Sequence, residues 1–353
     1  MGTGLERSTL IWSLAVGGVL LALLAGCGLA FGGWVKSALA PDDFEGRGEG
    51  VAMVRIQPGQ SARDVAVSLE AAGVVASDDA FVKAIEGSAK ASALRPGLYR
   101  MRKQMKASAA VSLLFDPVAR VQRKVTVPEG LRLDETLAVL AKGSGIPYAE
   151  FQKAAASPHG LGLPSYAGGK LEGFLFPATY PVEPGTTART VLSAMVKRFR
   201  QAAADVGLER RAGAVGLTPL QAVTVGSIAQ AEGGVPADYP RIARVIYNRL
   251  RTGEHLQLDS TVLYVQKRHD LRVSVEDTRV RSPYNTYANG GLPPGPISNP
   301  GEEALKGVLN PAQGDWRFFV TTDPKNRVTK FTASEAEFFR FRAQLNRALR
   351  LSD

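Results

Sequence analysis

One glutamate of this 353-residue chain, Glu232, stands where a carboxyl group could do acid–base chemistry. A carboxyl can deliver and then accept a proton near neutrality only if its proton affinity is raised. Shelter from water beside the negative end of a helix does that. Thr218, followed by Pro219 and by Gln221 three residues on, reads as a capping box with proline in the first helical position. From there Gln221, Val225, Ile228, Ala229 and Glu232 fall on one side at about 100° per residue, so the carboxylate continues a mostly apolar stripe. Gly233 and Gly234 end the helix and Pro236 prevents its continuation. A second helix from near Pro240 turns Ile242, Val245, Ile246 and Leu250 inward and Arg241, Arg244 and Arg251 outward. The plainer reading of Glu232 is a solvated glutamate at a frayed helix end.

Other polar residues are spaced as if for a site. Glu172 sits in Leu171-Glu172-Gly173-Phe174 at the mouth of an expected aromatic strand, where a simple turn residue would also fit. Gln257, Asp259, Ser260 and Thr261 precede a short helix that Asp259 or Ser260 could cap. Tyr284, Asn285, Thr286 and Tyr287 lie in a proline-stiffened loop running to Ile297. Such a loop, if exposed, would offer rings to sugar faces and polar groups to hydroxyls and amides at low entropic cost. Phosphate loops and GxSxG elbows are absent from the sequence, and His159, His255 and His269 lack metal-ligand spacing. No metal or other cofactor is expected.

Positioning these groups calls for a sizeable fold. An apolar fraction of 45% argues for a folded chain, and a formal charge of +10 with a pI near 9.7 favours anionic surroundings: nucleic acid, anionic lipid or acidic wall polymer. Leu10 to Val35 carries no charge and as a helix would span roughly 39 Å, enough for a hydrocarbon core of about 30 Å. Residues 1–40 are therefore expected to be a single-pass anchor. Arg7 lies before the span, and Asp42, Asp43 and Glu45 beyond it place the body outside and argue against nucleic acid as partner. Leu24-Ala25-Gly26-Cys27 also resembles a lipoprotein cleavage site, but the apolar run continues past Cys27, the only cysteine, which favours an uncleaved helix.

Residues 41–50 read as a linker rich in charge and glycine. Beyond it a pattern of strand, helix, helix, strand, helix occurs twice at a spacing of roughly seventy residues. Val54 to Ile56, Pro58-Gly59 and the helix after Ser61 are answered by Val125 to Val127, Glu129-Gly130 and Asp134 to Leu140; Gly97 to Arg100 is matched with Gly173 to Phe176. Asn299, with Pro300 and Glu302, is expected to start a helix through Val308. A hairpin follows over Trp316 to Thr332, and Ser334 with Glu337 opens a last helix. The fold class is α+β.

Five separated stretches then resemble the YceG-like endolytic murein transglycosylases: Leu171-Glu172-Gly173-Phe174, Ser227 to Glu232, Ala243 to Leu250, Leu256-Gln257-Leu258-Asp259, and Tyr284-Asn285-Thr286-Tyr287 through Gly291 to Ile297. The resemblance implies an N-terminal transmembrane helix, a LysM-like subdomain over 51–124 and a catalytic domain over 125–350. It also implies a body outside the cytoplasmic (inner) membrane, peptidoglycan glycan strands as substrate, and peptidoglycan synthases as candidate partners. Cleavage between N-acetylmuramic acid and N-acetylglucosamine would leave a 1,6-anhydro end, with Glu232 as acid and base and Glu172, Gln257, Asp259, Tyr284, Asn285, Thr286 and Tyr287 binding substrate. Many members carry an acid where this chain has Gln230. Two rival readings are a non-catalytic wall-binding scaffold and a lysozyme-like hydrolase using Glu172 with Glu232.

Overall fold

The computed structural model describes residues 42–86, 94–269 and 273–349; the expected anchor over residues 1–40 lies outside them. The chain divides into two compact units between Gln122 and Arg123. In the N-terminal unit β1 (Arg47–Ile56), α1 (Ala62–Ala71), α2 (Asp78–Glu86), β2 (Gly97–Met105) and α3 (Ala107–Leu114) follow in the expected order. Ser61 and Asp64 form a capping box at the start of α1. The strands pair antiparallel, Val54 opposite Tyr99, and alternation sends Ala52, Val54, Ile56, Tyr99 and Met101 into a core shared with Leu69, Phe81 and Ile85. The stretch read as a linker is partly built in. Strand β1 already begins at Arg47, the Asp42 carbonyl accepts from the Ser77 hydroxyl at 2.8 Å, and the Asp43 carboxylate accepts from the Ala107 N–H at 2.8 Å.

The C-terminal unit opens with the same order: β3 (Arg123–Thr126), α4 (Leu133–Ser144), α5 (Tyr148–Ala156), β4 (Thr179–Val182) and α6 (Ala188–Asp205), with β3 and β4 again antiparallel. The partner of β3 is not the aromatic segment around Glu172, however. Phe174, Leu175 and Phe176 are buried in a turn and loop that precede the strand. Gly173 there has φ +87°, and a side chain on it would lie 2.4 Å from Pro296, so the segment is bent tightly against the 296–299 loop and cannot run straight.

The second core is built around α7 (Pro219–Glu232), which the Thr218–Gln221 capping box starts as expected. Its one-sided stripe is not what the fold uses: Ala222 to Ala229 are all buried, because α8 (Tyr239–Thr252), α9 (Asp259–Gln266) and α10 (Glu302–Leu309) pack around it. A helix surrounded on every side needs apolar or small residues at every phase. The hairpin β5 (Phe318–Asp323) and β6 (Val328–Thr332) and the helix α11 (Glu335–Ala348), capped by Ser334, complete the unit. Among the described residues no single helix is long and apolar enough to cross a membrane.

Asn299 is not a helix cap. Gly301 takes that position for α10, and Asn299 is buried with both ends of its amide engaged. Its oxygen accepts from Leu175 N–H at 2.9 Å, and its nitrogen donates to the Leu131 carbonyl at 3.0 Å and to the Thr136 hydroxyl at 3.2 Å. One side chain thus ties three segments. Replacing it with alanine strands the Leu175 N–H in a dry interior, and each buried polar group left unpaired costs roughly 1–3 kcal/mol. Asn299→Ala is expected to lower the stability of the protein by about 2–4 kcal/mol, read as a lower urea midpoint.

Candidate active site

Glu232 is the last residue of α7 and is half-buried. The chain turns at once because a side chain on Gly233 would lie 2.6 Å from the Tyr239 ring, so α8 comes back close against the end of α7. Its carboxyl reaches the start of α9 instead of solvent: Oε1 accepts from the Ser260 N–H at 3.3 Å. Neither Asp259 nor Ser260 caps α9 with its own side chain, and Leu258 holds the cap position. Glu232 supplies an acceptor there from another helix. Two helix ends oppose each other at this carboxyl, the negative end of α7 disfavouring its charge and the positive end of α9 favouring it. Burial dominates and pushes the Glu232 carboxyl up to about 7; the Ser260 side chain opposes this, Asp259 adds to it, and the Ser260 N–H opposes it.

The approach to α9 is held by polar side chains of α8, among them Arg244, which the sequence pattern turned outward and the structure half-buries. Arg249, assigned to neither face of α8 by the sequence pattern, is buried and donates to the carbonyls of His255 at 2.9 Å, Leu256 at 2.8 Å and Arg317 at 2.7 Å, with its guanidinium 5.0 Å from the Phe318 ring. Asn248 and Arg244 bond the carbonyls of Trp316 and Ala312. These carbonyl clamps explain a motif of mixed polarity on an otherwise amphipathic helix. Gln257, next along, is exposed with φ +51°, an uncommon conformation for a side-chain-bearing residue, and its N–H donates to the Thr286 carbonyl.

The loop around Tyr284 differs from the expected exposed platform. Asn285 and Thr286 are buried. The Asn285 amide donates to the carbonyls of Thr278 and Val280, both at 2.8 Å, and accepts from Tyr287 N–H; the Thr286 hydroxyl accepts from Leu258 N–H and contacts the Thr261 hydroxyl at 2.9 Å. Neither has a group left to offer a sugar, so both shape the loop. Tyr284 and Tyr287 remain half-buried at its surface. Tyr287 donates to Asp259 Oδ1 at 2.5 Å. Asp259 is exposed as a residue, yet enough protein crowds its carboxyl that desolvation raises its proton affinity, against the Tyr287 hydrogen bond and the charge of Arg342.

Glu172 occupies a similar but separate position. Its Oε1 accepts from Leu133 N–H, the first residue of α4, at 2.9 Å, and its Oε2 accepts from the Tyr264 hydroxyl at 3.3 Å. Burial pushes it up to about 7 as well. It lines a cleft of about 540 Å³ with Arg132, Tyr264, Lys267 and Tyr284, the Tyr264 and Tyr284 rings 4.9 Å apart. Helix α9 links the two carboxyls, Ser260 touching Glu232 and Tyr264 touching Glu172 roughly 6 Å further along. The carboxyl that acts on Glu232 is nevertheless Asp259 and not Glu172. Gln230 is engaged at both ends, donating to the Tyr239 hydroxyl at 2.8 Å and accepting from Gly301 N–H at 3.0 Å.

A carboxyl that keeps its proton near neutrality, with a second carboxyl beside it, is a constellation for acid–base catalysis on a bound substrate. The chain belongs to the YceG-like family, whose profile matches residues 54–344. An endolytic murein transglycosylase of Bacillus subtilis is 31% identical over 284 residues, covering 76% of this chain and 78% of that protein. One of Streptococcus pneumoniae is 29% identical over 345 residues, covering 88% of this chain, which spans 61% of the streptococcal protein's length. The crystal structure of a yceG-like protein from Listeria monocytogenes superposes with a TM-score of 0.56 at 27% identity, covering 83% of this chain and 99% of that one.

Two outcomes follow from the geometry. Asn285→Ala unpairs two buried carbonyls and is expected to lower stability by about 2–3 kcal/mol in urea unfolding, not merely to weaken binding. The pH dependence of Glu232 has a definite sign. Below its ordinary value of 4.5 both folded and unfolded chains are protonated; between 4.5 and about 7 the unfolded chain ionises first, so stability falls as pH rises, then levels off. Glu232→Gln should therefore melt at or above the parent temperature near pH 8, an advantage that disappears near pH 4.

Proposed function

We propose that this chain is an endolytic peptidoglycan lytic transglycosylase, cutting between N-acetylmuramic acid and N-acetylglucosamine in nascent strands and leaving a 1,6-anhydro end. The observation that carries the reading is the Glu232 carboxyl, pushed up to about 7 at the join of two helix ends, in a chain of the YceG-like family. The names of the Bacillus and Streptococcus relatives support the substrate class.

In this reading Glu232 gives its proton to the glycosidic oxygen as the bond to C1 breaks and its electron pair goes to the leaving oxygen. The substrate's acetamido group supports the positive C1 centre, so no second carboxylate is needed as nucleophile. The Glu232 carboxylate then takes the proton of the C6 hydroxyl while that oxygen closes on C1, which restores the acid and consumes no water. Gln257, Asp259, Tyr284 and Tyr287 bind the strand, with Glu172 in the neighbouring cleft. Asn285 and Thr286 hold the loop. The structure gives Glu172 a use of its own at α4 and Tyr264, which does not favour a hydrolase pairing it with Glu232.

The same reading carries a single-pass anchor over residues 1–40, a body outside the cytoplasmic membrane, synthases as partners and a LysM-like wall-binding module in the N-terminal unit. The apolar run from Leu10 to Val35, the charge of +10 and the strand–helix–helix–strand order of that unit support it. Glu232→Gln cannot deliver a proton, and acid–base help is typically worth about 10² to 10⁴ in rate. On defined glycan strands the parent is expected to release 1,6-anhydro products and the variant to lose about that factor. A parent that binds strands and leaves their length unchanged would mark a scaffold; reducing-sugar products would mark a hydrolase.

A further inference from the structure

Beside the Glu232 carboxyl lies a buried hydroxyl that makes no well-directed hydrogen bond. Ser260 is the second residue of α9; its N–H is bonded by Glu232, while its Oγ is buried beside the same carboxyl, near enough to lower its proton affinity, yet forms no well-directed hydrogen bond among the described residues. Buried hydroxyls on helices usually satisfy themselves on a carbonyl of the preceding turn, and the neighbours do so: Thr261 bonds Leu258, Thr224 bonds Leu220 and Ser227 bonds Thr224. A buried polar group left idle in the resting state of a site calls for a partner formed at another stage of the reaction.

We propose that Ser260 is a positioning residue whose hydroxyl turns to donate to the Glu232 carboxylate after that group has released its proton, holding the anion between the two half-reactions. This rests on Glu232 being the acid and base of the proposed reaction. While Glu232 is protonated the donor is not needed. When its proton passes to the glycosidic oxygen and the bond to C1 breaks, the carboxyl becomes an acceptor of full charge, and rotation about the Cα–Cβ bond brings the Ser260 hydroxyl to it. The C6 hydroxyl then gives its proton to the carboxylate as O6 bonds C1, and the serine hydroxyl is released. No atom is gained or lost by the protein over the cycle.

The other groups facing Glu232 cannot do this. Asp259, preceding Ser260 on α9, is itself a carboxyl, and the Tyr287 hydroxyl from the 284–287 loop donates to Asp259. Arg342 of α11 acts on Asp259 and Tyr287. Among the described residues the Ser260 N–H is the one donor with a formed hydrogen bond to Glu232, and the Ser260 side chain is the other group that lowers its proton affinity.

The test uses the full chain with Ser260→Ala, Ser260→Cys and Ser260→Thr on defined strands, with kcat and KM followed against pH. The acid form of Glu232 is lost on the alkaline limb, and removing a donor to its anion raises its proton affinity. Ser260→Ala should move that limb up by roughly one pH unit and lower kcat about tenfold with KM unchanged. Thr should restore the parent profile. Cys, nearly isosteric and a weaker donor, should shift the limb less in the same direction, and decides the matter if the alanine variant does not fold. An unmoved limb in Ala and Cys overturns the proposal, and so does a raised KM with an unmoved limb, which would make the hydroxyl a sugar contact. If the parent itself yields reducing sugars, the transglycosylase reading fails; if it yields 1,6-anhydro ends and the limb stays, only the role of Ser260 fails.

Discussion

The hydrogen bond from Ser260 N–H to Glu232 joins the end of one helix to the beginning of another, and the rest of the C-terminal unit is arranged so that it can form. The Glu232 carboxyl between opposed helix ends is crowded by protein and, among the described residues, has no cation bonded to it. Its proton affinity is then governed by how closely the protein closes around it. That closure is the work of α8, which returns tightly because Gly233 leaves room for the Tyr239 ring, and of α9, whose start is brought to Glu232 by the segment before it.

That segment and the loop beside it are irregular backbone, yet they are held as firmly as a helix would be. Arg249 gathers three carbonyls, Asn285 two, and Asn299 links a turn, a helix start and a loop. Each uses a side chain with several fixed donors to satisfy backbone groups that no regular ladder reaches. The long motifs of the sequence are therefore mixed in purpose. Within Tyr284-Asn285-Thr286-Tyr287 the inner two residues hold the loop, and the outer two remain toward its surface.

This division marks the limit of what the sequence discloses. The capping box at Thr218, the caps at Ser61 and Ser334, the C-terminal hairpin and the doubled strand–helix–helix–strand–helix order, though not the place of the second copy's last strand, are local and were legible from spacing. Glu232 as a sheltered carboxyl was legible too, although α7 is covered all round and not along one stripe. Asn299 before proline resembles a helix start, and Asn285 in a turn-rich loop resembles an exposed contact. What decides otherwise is the arrival of segments far away in sequence. Arg249 was hidden for the same reason: burial of a guanidinium becomes tolerable only where carbonyls from several segments converge.

The bonds of Asn299 also bear on how the chain comes to be folded. Its partners Leu175 and Leu131 lie 124 and 168 positions earlier, so the contacts that close this core span most of the unit. Closing loops of that length is slow compared with forming the strand–helix–helix–strand segments, whose pairings are local. During synthesis those segments can settle while the ribosome is still adding later residues, but the core that surrounds α7 cannot close until residue 299 and the helix after it have emerged. The burial around Glu232 is thus a late event, and a chain interrupted before that point would carry folded parts around an open core.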